Sequence, residues 1–193
     1  MPKVVDADQY RKELLYQCFD LFAEKGYANV TTRQISKELG ISTGALYHYF
    51  PSKESLFEQL VEELGHQDIQ VLKGAVDAQK TFPERVKKLG ELLLENREYL
   101  VKQAAIWMDF YQYRQGEPIL ANPVFRRIDQ QYQQAMAEFL GISDLSKARF
   151  VWVLVDGILI DQVATNDPAI FTEQVGFFVE MVTAYFEKYP VSE

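Results

Sequence analysis

Residues 31–50 of the 193-residue chain, TTRQISKELGISTGALYHYF, decide the fold because they join two short helical patterns through a sharp turn. A threonine at the start of the stretch can cap the first helix, and Ser42 can cap a second helix that ends at Tyr49. Gly40 supplies the turn between the helices, and the small Ser36 allows them to approach closely. This stretch therefore predicts a helix-turn-helix.

One face of this motif is apolar, which leaves the other face free to contact DNA. The N-terminal residues of the second helix, Thr43, Gly44 and Ala45, can enter a major groove and meet base edges. Their small side chains permit close approach but form no bidentate pair with guanine, so most of the affinity should come from phosphate contacts and DNA shape. The apolar residues expected to pack inward are Ile35, Leu39, Ile41, Leu46 and Phe50.

Phosphate contacts are expected where the second helix ends and the next helix begins. Tyr47, His48 and Tyr49 carry hydroxyl and imidazole groups that can reach phosphate oxygens. Lys53 lies at the start of a longer helix, where its charge adds to free backbone N–H groups and the helix dipole. The alternatives are packing for Tyr47 and plain solvent exposure for His48 and Lys53.

A longer pattern over residues 26–57 reads G-Y-x-x-V-T-T-R-x-I-x-x-x-L-G-I-S-x-G-x-L-Y-x-Y-F-x-S-K-E-x-L-F and resembles the N-terminal signature of the TetR/AcrR family. The resemblance implies a three-helix DNA-binding domain, an all-helical ligand-binding and dimerisation domain, and a dimer on a palindromic operator. Repression that a ligand releases is the family's usual mode, and activation is the alternative. Many members carry Lys or Arg in place of Thr43, which leaves the base preference there open. By motif position the implied DNA contacts are Thr43, Gly44, Tyr47, His48, Tyr49 and Lys53, with Thr32 and Arg33 as phosphate contacts.

In the remainder of the chain, apolar residues recur at helical spacing and do not alternate with polar residues as they would in a strand. Asn122-Pro123 and Asp167-Pro168 each place a capping residue before a proline at the first helical position. The expected fold is all-α, with an N-terminal three-helix helix-turn-helix domain and a C-terminal helical bundle, about nine helices in total. We place the DNA-binding domain at residues 1–51 and the effector-binding and dimerisation domain at residues 52–193.

Two C-terminal helices, over residues 145–165 and 168–189, are apolar on nearly every side and must therefore be covered on nearly every side. A second copy of the chain is the easiest cover, so we expect a homodimer with a four-helix interface about a twofold axis. The resemblance agrees, because the family usually dimerises through its last two helices. A monomer with a fully covered central helix is the alternative. The expected interface residues are Val151, Leu154, Val155, Ile158, Phe171, Val175, Phe178 and Val182.

A small-molecule pocket is expected in the C-terminal domain, where aromatic residues and methionines mix with a few polar groups. Ordinary core packing is the alternative for each aromatic residue. Asp156 stands out because a carboxylate within an apolar helix is costly unless it is paired. If Asp156 lines the pocket, the pattern favours an amine or another cationic effector. The candidate effector residues are Gln103, Trp107, Met108, Tyr111, Phe125, Met136, Trp152 and Asp156.

Composition argues against several other classes of protein. The net charge of −8 disfavours a protein whose whole surface binds nucleic acid, although residues 31–53 carry three basic side chains against one acidic. The single cysteine, Cys18, allows no internal disulfide, and no signal peptide or membrane-spanning run is evident, so a cytoplasmic location is expected. The chain lacks nucleotide-binding, hydrolase and paired metal-binding motifs, so we expect no enzymatic activity, cofactor or metal. A helical adaptor that binds only protein is the remaining alternative.

Overall fold

The computed structural model describes residues 6–77, 80–115 and 117–189. Within these residues the chain forms nine α-helices and one short 3-10 helix without any strand, which confirms the all-α fold. Of the helices described, none combines the length and the apolar character needed to cross a membrane. The helices are α1 (Ala7–Lys25), α2 (Thr32–Glu38), α3 (Thr43–Tyr49), α4 (Lys53–Gly74), α5 (Phe82–Glu95), α6 (Arg97–Tyr113), α7 (Pro123–Leu140), α8 (Leu145–Thr165) and α9 (Pro168–Lys188), and the 3-10 helix is Ile119–Ala121.

Local caps set the limits of the two short helices, as the sequence predicts. The Thr31 hydroxyl accepts from the Gln34 backbone N–H at 3.3 Å, and the Gln34 side chain accepts from the Thr31 N–H at 2.8 Å. This reciprocal pair is a capping box, which satisfies N–H groups that have no partner within the helix. At the start of α3 the Ser42 hydroxyl accepts from the Ala45 N–H at 3.0 Å. Gly40 has φ +66°, a left-handed conformation that favours glycine, in the turn between α2 and α3.

Contacts between residues divide the chain into two compact units. The first unit comprises the described residues of Met1–Gln67 and Ile106–Ile128, and the second comprises those of Asp68–Ala105 and Asp129–Glu193. Helices α4, α6 and α7 each contribute residues to both units. The domain boundary expected after residue 51 concerns function and stays a prediction.

Aromatic rings from four helices form the core of the first unit. Phe57 stacks on Phe110 with ring centroids 4.1 Å apart, and the Tyr27 ring meets both of them edge-on at 5.0 Å. Phe22 and Phe125 extend the cluster, with centroids 6.0 and 6.2 Å from that of Phe57. Stacked and edge-to-face pairs each add roughly 0.5–1.5 kcal/mol beyond the burial of their area. The cluster therefore ties α1, α4, α6 and α7 together within this unit.

Helices α5 and α9 make a close crossing in the second unit. A Cβ at Gly90 would lie 2.7 Å from the Val179 Cγ2 atom and 3.4 Å from the Val175 Cγ1 atom, so a larger residue would force the helices apart. The neighbouring α9 residues Phe178 and Val182 are buried in the same core. The side of α9 that contains these residues therefore packs against the core of the same chain.

This packing corrects the predicted dimer surface. A side chain that is already covered in one copy has almost no surface to lose to a second copy. Leu154, with 36% of its surface exposed, and the partly buried Ile158 retain surface. Both helices are apolar on more than one face, so their sequence did not indicate which face turns inward. The six predicted interface residues that lie in the core, with only 1–5% of their surface exposed, are Val151, Val155, Phe171, Val175, Phe178 and Val182.

Candidate nucleic-acid interface

Helices α2 and α3 meet at Ser36, as predicted. Ser36 is buried, its hydroxyl donates to the Arg33 carbonyl at 3.0 Å, and it shares a hydrogen bond with the Thr43 hydroxyl at 3.2 Å. A larger residue at this position would separate the two helices. Of the five residues predicted to face inward, Ile41 is partly exposed. The four that are buried are Ile35, Leu39, Leu46 and Phe50.

One face of α3 is open along its length. Gly44 is exposed, and a Cβ placed there would meet only the Ser42 hydroxyl, at 3.9 Å. Tyr47 keeps 47% of its surface exposed, and His48 is exposed as well. Thr43 is half-buried at the beginning of this face, because its hydroxyl bonds to Ser36. A helix with a small residue at its leading end and an uncovered side can be laid into a DNA groove.

The N-terminus of α2 lies beside this open face. The Tyr47 hydroxyl is 3.3 Å from the Thr32 hydroxyl, so the two groups form one hydrogen-bonding edge shared by α2 and α3. Arg33 and Lys37 are exposed on α2. The nearby Glu38 pairs with Lys25 at 3.6 Å, which offsets its negative charge. The local surface is therefore basic on a chain whose overall charge is negative.

Tyr49 and Lys53 make contacts within their own chain. The Tyr49 ring packs edge-on against Tyr10 of α1, with centroids 5.7 Å apart, and is only partly exposed. The Lys53 ammonium group donates to the backbone carbonyls of Tyr27 and Val30, both at 2.9 Å, and lies 4.2 Å from the centroid of the Tyr27 ring. Burial lowers the pKa of Lys53. Two of the three ammonium protons of Lys53 are therefore used within its own chain, and the predicted phosphate contact stays a prediction.

The eight predicted effector residues belong to both units. In the first unit, Trp107 meets Phe125 edge-on at 5.1 Å, Met108 is partly buried and Tyr111 is largely exposed. Phe125 is buried in the aromatic core, and Met136 is fully buried in the core of the second unit. Phe125 and Met136 therefore pack in the protein core. The three others in the second unit, all partly buried, are Gln103, Trp152 and Asp156.

A polar cluster in the second unit centres on Asp68, which the sequence analysis missed. Its carboxylate accepts hydrogen bonds from the Tyr99 hydroxyl and the Gln103 amide, both at 2.9 Å, and from the Tyr132 hydroxyl. Burial raises the pKa of Asp68, while the three hydrogen bonds oppose that effect. Burial, together with the neighbouring carboxylate of Asp68, raises the pKa of Tyr132 well above its usual value.

A signal for Asp68 was present in the sequence. Leu64 and Leu72 lie four residues before and after it on α4, and both are buried. Residues four apart share a helix face, so the acid lies within the apolar stripe of α4. An acid in that position must be hydrogen-bonded or paired.

Asp156 lies in a different environment on α8. Burial raises the pKa of Asp156 to about 7, the charge of Asp129 adds to this effect, and the charge of Arg149 opposes it. Arg149 is itself engaged with Asp129 at 2.9 Å. One turn before Asp156, Trp152 stacks on Tyr132 with ring centroids 4.7 Å apart. A partly buried carboxyl group therefore lies on the same helix face as an aromatic pair.

Asp156→Asn is expected to change how stability depends on pH. A raised folded-state pKa means that folding favours the protonated acid, so this group's favourable contribution is full below pH 4 and is lost as pH rises towards 7. The amide does not titrate. The variant should match the wild type near pH 4 and exceed it at pH 8 by about 2–3 kcal/mol in free energy of unfolding, measured by urea denaturation.

The exposed Glu173→Gln on α9 is the control, because it removes one acid without a buried partner. If the difference in free energy of unfolding between the wild type and Asp156→Asn stayed constant from pH 4 to pH 8, the assigned environment of Asp156 would be wrong.

Comparisons with known proteins agree with this geometry. Residues 14–60 match the family model of bacterial regulatory proteins of the tetR family. The HTH-type transcriptional regulator PksA of Bacillus subtilis is 24% identical over 182 residues, which is 88% of each chain. The nucleoid occlusion factor SlmA of Aliivibrio fischeri is 28% identical over 131 residues, covering 66% of this chain and 67% of that protein.

Solved structures share the fold. A transcriptional regulator from Rhodococcus sp. Rha1 has a TM-score of 0.71 at 21% identity, covering 89% of this chain and 94% of that one. FadR of Bacillus subtilis, in complex with stearoyl-CoA, has a TM-score of 0.69 at 18% identity and covers 88% and 96% of the two chains. A regulator from Saccharomonospora viridis, in complex with choline, has a TM-score of 0.65 at 22% identity and covers 96% and 100%.

The open face of α3, which is held against α2 through Ser36, is characteristic of a helix-turn-helix DNA-binding protein. Residues 14–60 carry the DNA-binding region of the tetR family of bacterial regulatory proteins, and the chain is a DNA-binding transcriptional regulator.

Proposed function

We propose that this regulator is a cytoplasmic homodimeric repressor, which binds a palindromic operator and is released from it by a small molecule. The open face of α3 carries the proposal. Thr43 and Gly44 at its leading end contact base edges, while Tyr47, His48, Thr32 and Arg33 contact phosphates. No bidentate base contact is available from Thr43 or Gly44, so specificity draws on close approach and DNA shape.

The dimer is supported by an apolar surface on the last two helices. We call this surface the α8–α9 face. At 3.6 residues per turn, positions 150, 153, 154 and 160 fall on one side of α8, and positions 170, 177, 181 and 185 fall on one side of α9. Contiguous exposed apolar surface of this kind marks a protein interface. The residues are Phe150, Val153, Leu154 and Ile160 on α8, and Ile170, Phe177, Met181 and Tyr185 on α9, all more than one third exposed.

Pairing of two copies through this face has a consequence for DNA. A twofold dimer presents two α3 helices to half-sites about 34 Å apart, or at a related spacing. An effector that binds more tightly to a different arrangement of the dimer lowers operator affinity by its differential affinity for the two states. Repression with release follows from this coupling.

The effector is proposed to be an amine or another organic cation recognised in the second unit by Asp156 and Trp152. Asp156 is a partly buried carboxyl group whose neighbouring cation, Arg149, is already paired. An aromatic ring beside a carboxylate suits a substituted ammonium group. Among proteins of this fold, one was solved with choline and another with stearoyl-CoA, so small-molecule binding occurs on this architecture.

DNA binding is tested by selecting ligands for the full chain from a random pool of duplex DNA and measuring their affinity by band shift. We expect a palindromic consensus and a complex that weakens steeply with salt. Thr43→Ala should alter the base preference but leave the salt dependence unchanged, whereas the control Thr172→Ala on α9 should alter neither. Failure to select any salt-sensitive complex would favour an adaptor that binds only protein.

The effector is sought by mass spectrometry of small molecules that co-purify with the protein. Calorimetric titration with choline as a probe then tests the cation class directly. Asp156→Asn should weaken choline binding at pH 8 by about tenfold or more, because it removes the counter-charge. Equal affinity in the two proteins would refute the role of Asp156 while leaving DNA binding unaffected.

A further inference from the structure

The loop between α1 and α2, residues 26–31, is held by two side chains that lie far from it in sequence. Tyr27 and Val30 are buried, and their carbonyls receive the Lys53 ammonium group at 2.9 Å each. Buried backbone carbonyls require such partners. Lys53, at the first residue of α4, therefore fixes the inner side of this loop.

Asp109 of α6 holds the loop from another direction. Its Oδ2 atom accepts from the Ala28 backbone N–H at 3.1 Å, and both carboxylate oxygens are 3.4 Å from the position that a Cβ on Gly26 would occupy. Gly26 has φ +78°, so a substitution there would strain the backbone as well as crowd the carboxylate. The Asp109 charge also favours the charged form of Lys53. Asp109 and Lys53 thus act on the same short segment.

The loop leads directly into the DNA-binding helices. Thr31 at its end is the cap of α2, and α2 positions α3 through the hydrogen bond between Ser36 and Thr43. Nearby, Arg114, the residue after α6, pairs with Glu54 of α4 at 2.6 Å. A shift of the loop would therefore move the start of α2 and, with it, the open face of α3.

We propose that Asp109 is a positioning residue for DNA binding, which locks the α1–α2 loop to α6 through the Ala28 N–H and thereby sets the orientation of α2 and α3. This inference rests on the proposed DNA binding.

Asp109→Ala should weaken binding to the selected DNA by about tenfold, because a charge-assisted hydrogen bond to the loop is lost. A loss of DNA affinity in Asp109→Ala would distinguish a positioning role from a simple effect of charge. Removing a negative charge from a DNA-binding protein ordinarily strengthens its attraction to phosphate, as expected for the exposed control Asp8→Ala. The slope of log affinity against log salt should stay unchanged, since Asp109 contacts no phosphate.

Two further variants separate the lock from a general loss of structure. Asp109→Asn keeps an oxygen that can accept from the Ala28 N–H, so it should restore affinity to within about threefold of the wild type. Lys53→Met should weaken DNA binding with an unchanged salt slope, whereas a phosphate contact at Lys53 would reduce the slope by about one.

Hydrogen exchange at the Ala28 amide provides a readout that needs no DNA. Its exchange should be about tenfold faster in Asp109→Ala than in the wild type and close to wild type in Asp109→Asn. Wild-type affinity in Asp109→Ala, unchanged Ala28 exchange, or failure of Asn to rescue would each overturn the inference. If the wild type itself selects no DNA, the proposed function fails, and the exchange rate still tests the lock.

Discussion

Met181→Glu is expected to convert the dimer into a monomer and to reduce operator affinity by more than about a hundredfold. Met181 is 71% exposed in the α8–α9 face, so in the proposed dimer the twofold axis would bring two introduced carboxylates into an apolar interface. An unpaired charge buried in this way costs several kcal/mol, and loss of the second α3 helix removes half of the operator contacts. Light scattering coupled to size exclusion measures the first effect, and band shift with the selected DNA measures the second.

The matched control is Val71→Glu on α4. Val71 is also about half-exposed and apolar, but it lies outside the α8–α9 face. Both variants should keep the helical circular dichroism and melting behaviour of a folded chain, since neither side chain is part of a core. A Met181→Glu protein that remains dimeric, or a Val71→Glu protein that dissociates equally, would remove the α8–α9 face from the model of assembly.

Helix limits were predictable because the interactions that set them are local. The Thr31 capping box, the Ser42 cap and the cap-proline pairs at Asn122 and Asp167 each involve residues within a few positions of one another. Such signals can be interpreted without knowing the rest of the fold. The inward-facing residues of the helix-turn-helix were predictable for the same reason, since two helices linked by a short turn have only one face to share.

Long-range partners were not predictable. The motif placed Lys53 at a helix start, where free N–H groups attract anions, yet its ammonium group is held by carbonyls more than 20 positions earlier. Asp109 is 81 positions from the amide that it accepts. Apolar residues surround both α8 and α9, so periodicity did not indicate which face of α9 packs on α5. The face of α9 that packs on α5 is the one that meets Gly90 at close range. In each case the deciding contact comes from a distant part of the sequence.

Phe57→Ala is expected to lower the free energy of unfolding by about 4 kcal/mol. Phe57 is completely buried, and truncation of a buried phenylalanine removes its transfer free energy and leaves a cavity, for a typical loss of roughly 3–5 kcal/mol. The stacked contact with Phe110 and the edge contacts with Tyr27 and Phe125 are lost as well. Urea denaturation followed by circular dichroism measures the change, and the calorimetric midpoint should fall in parallel.

Phe57→Leu separates the loss of aromatic geometry from the loss of volume, because leucine fills most of the site and should cost only about 1–2 kcal/mol. The comparison bears on function as well as stability. Tyr27 belongs both to this cluster and to the loop that Lys53 holds, so disturbing Phe57 should accelerate Ala28 exchange even under conditions where the chain stays folded. If Phe57→Ala weakened the fold yet left Ala28 exchange and DNA affinity unchanged below its melting transition, the aromatic cluster would support the first unit without setting the position of α2 and α3.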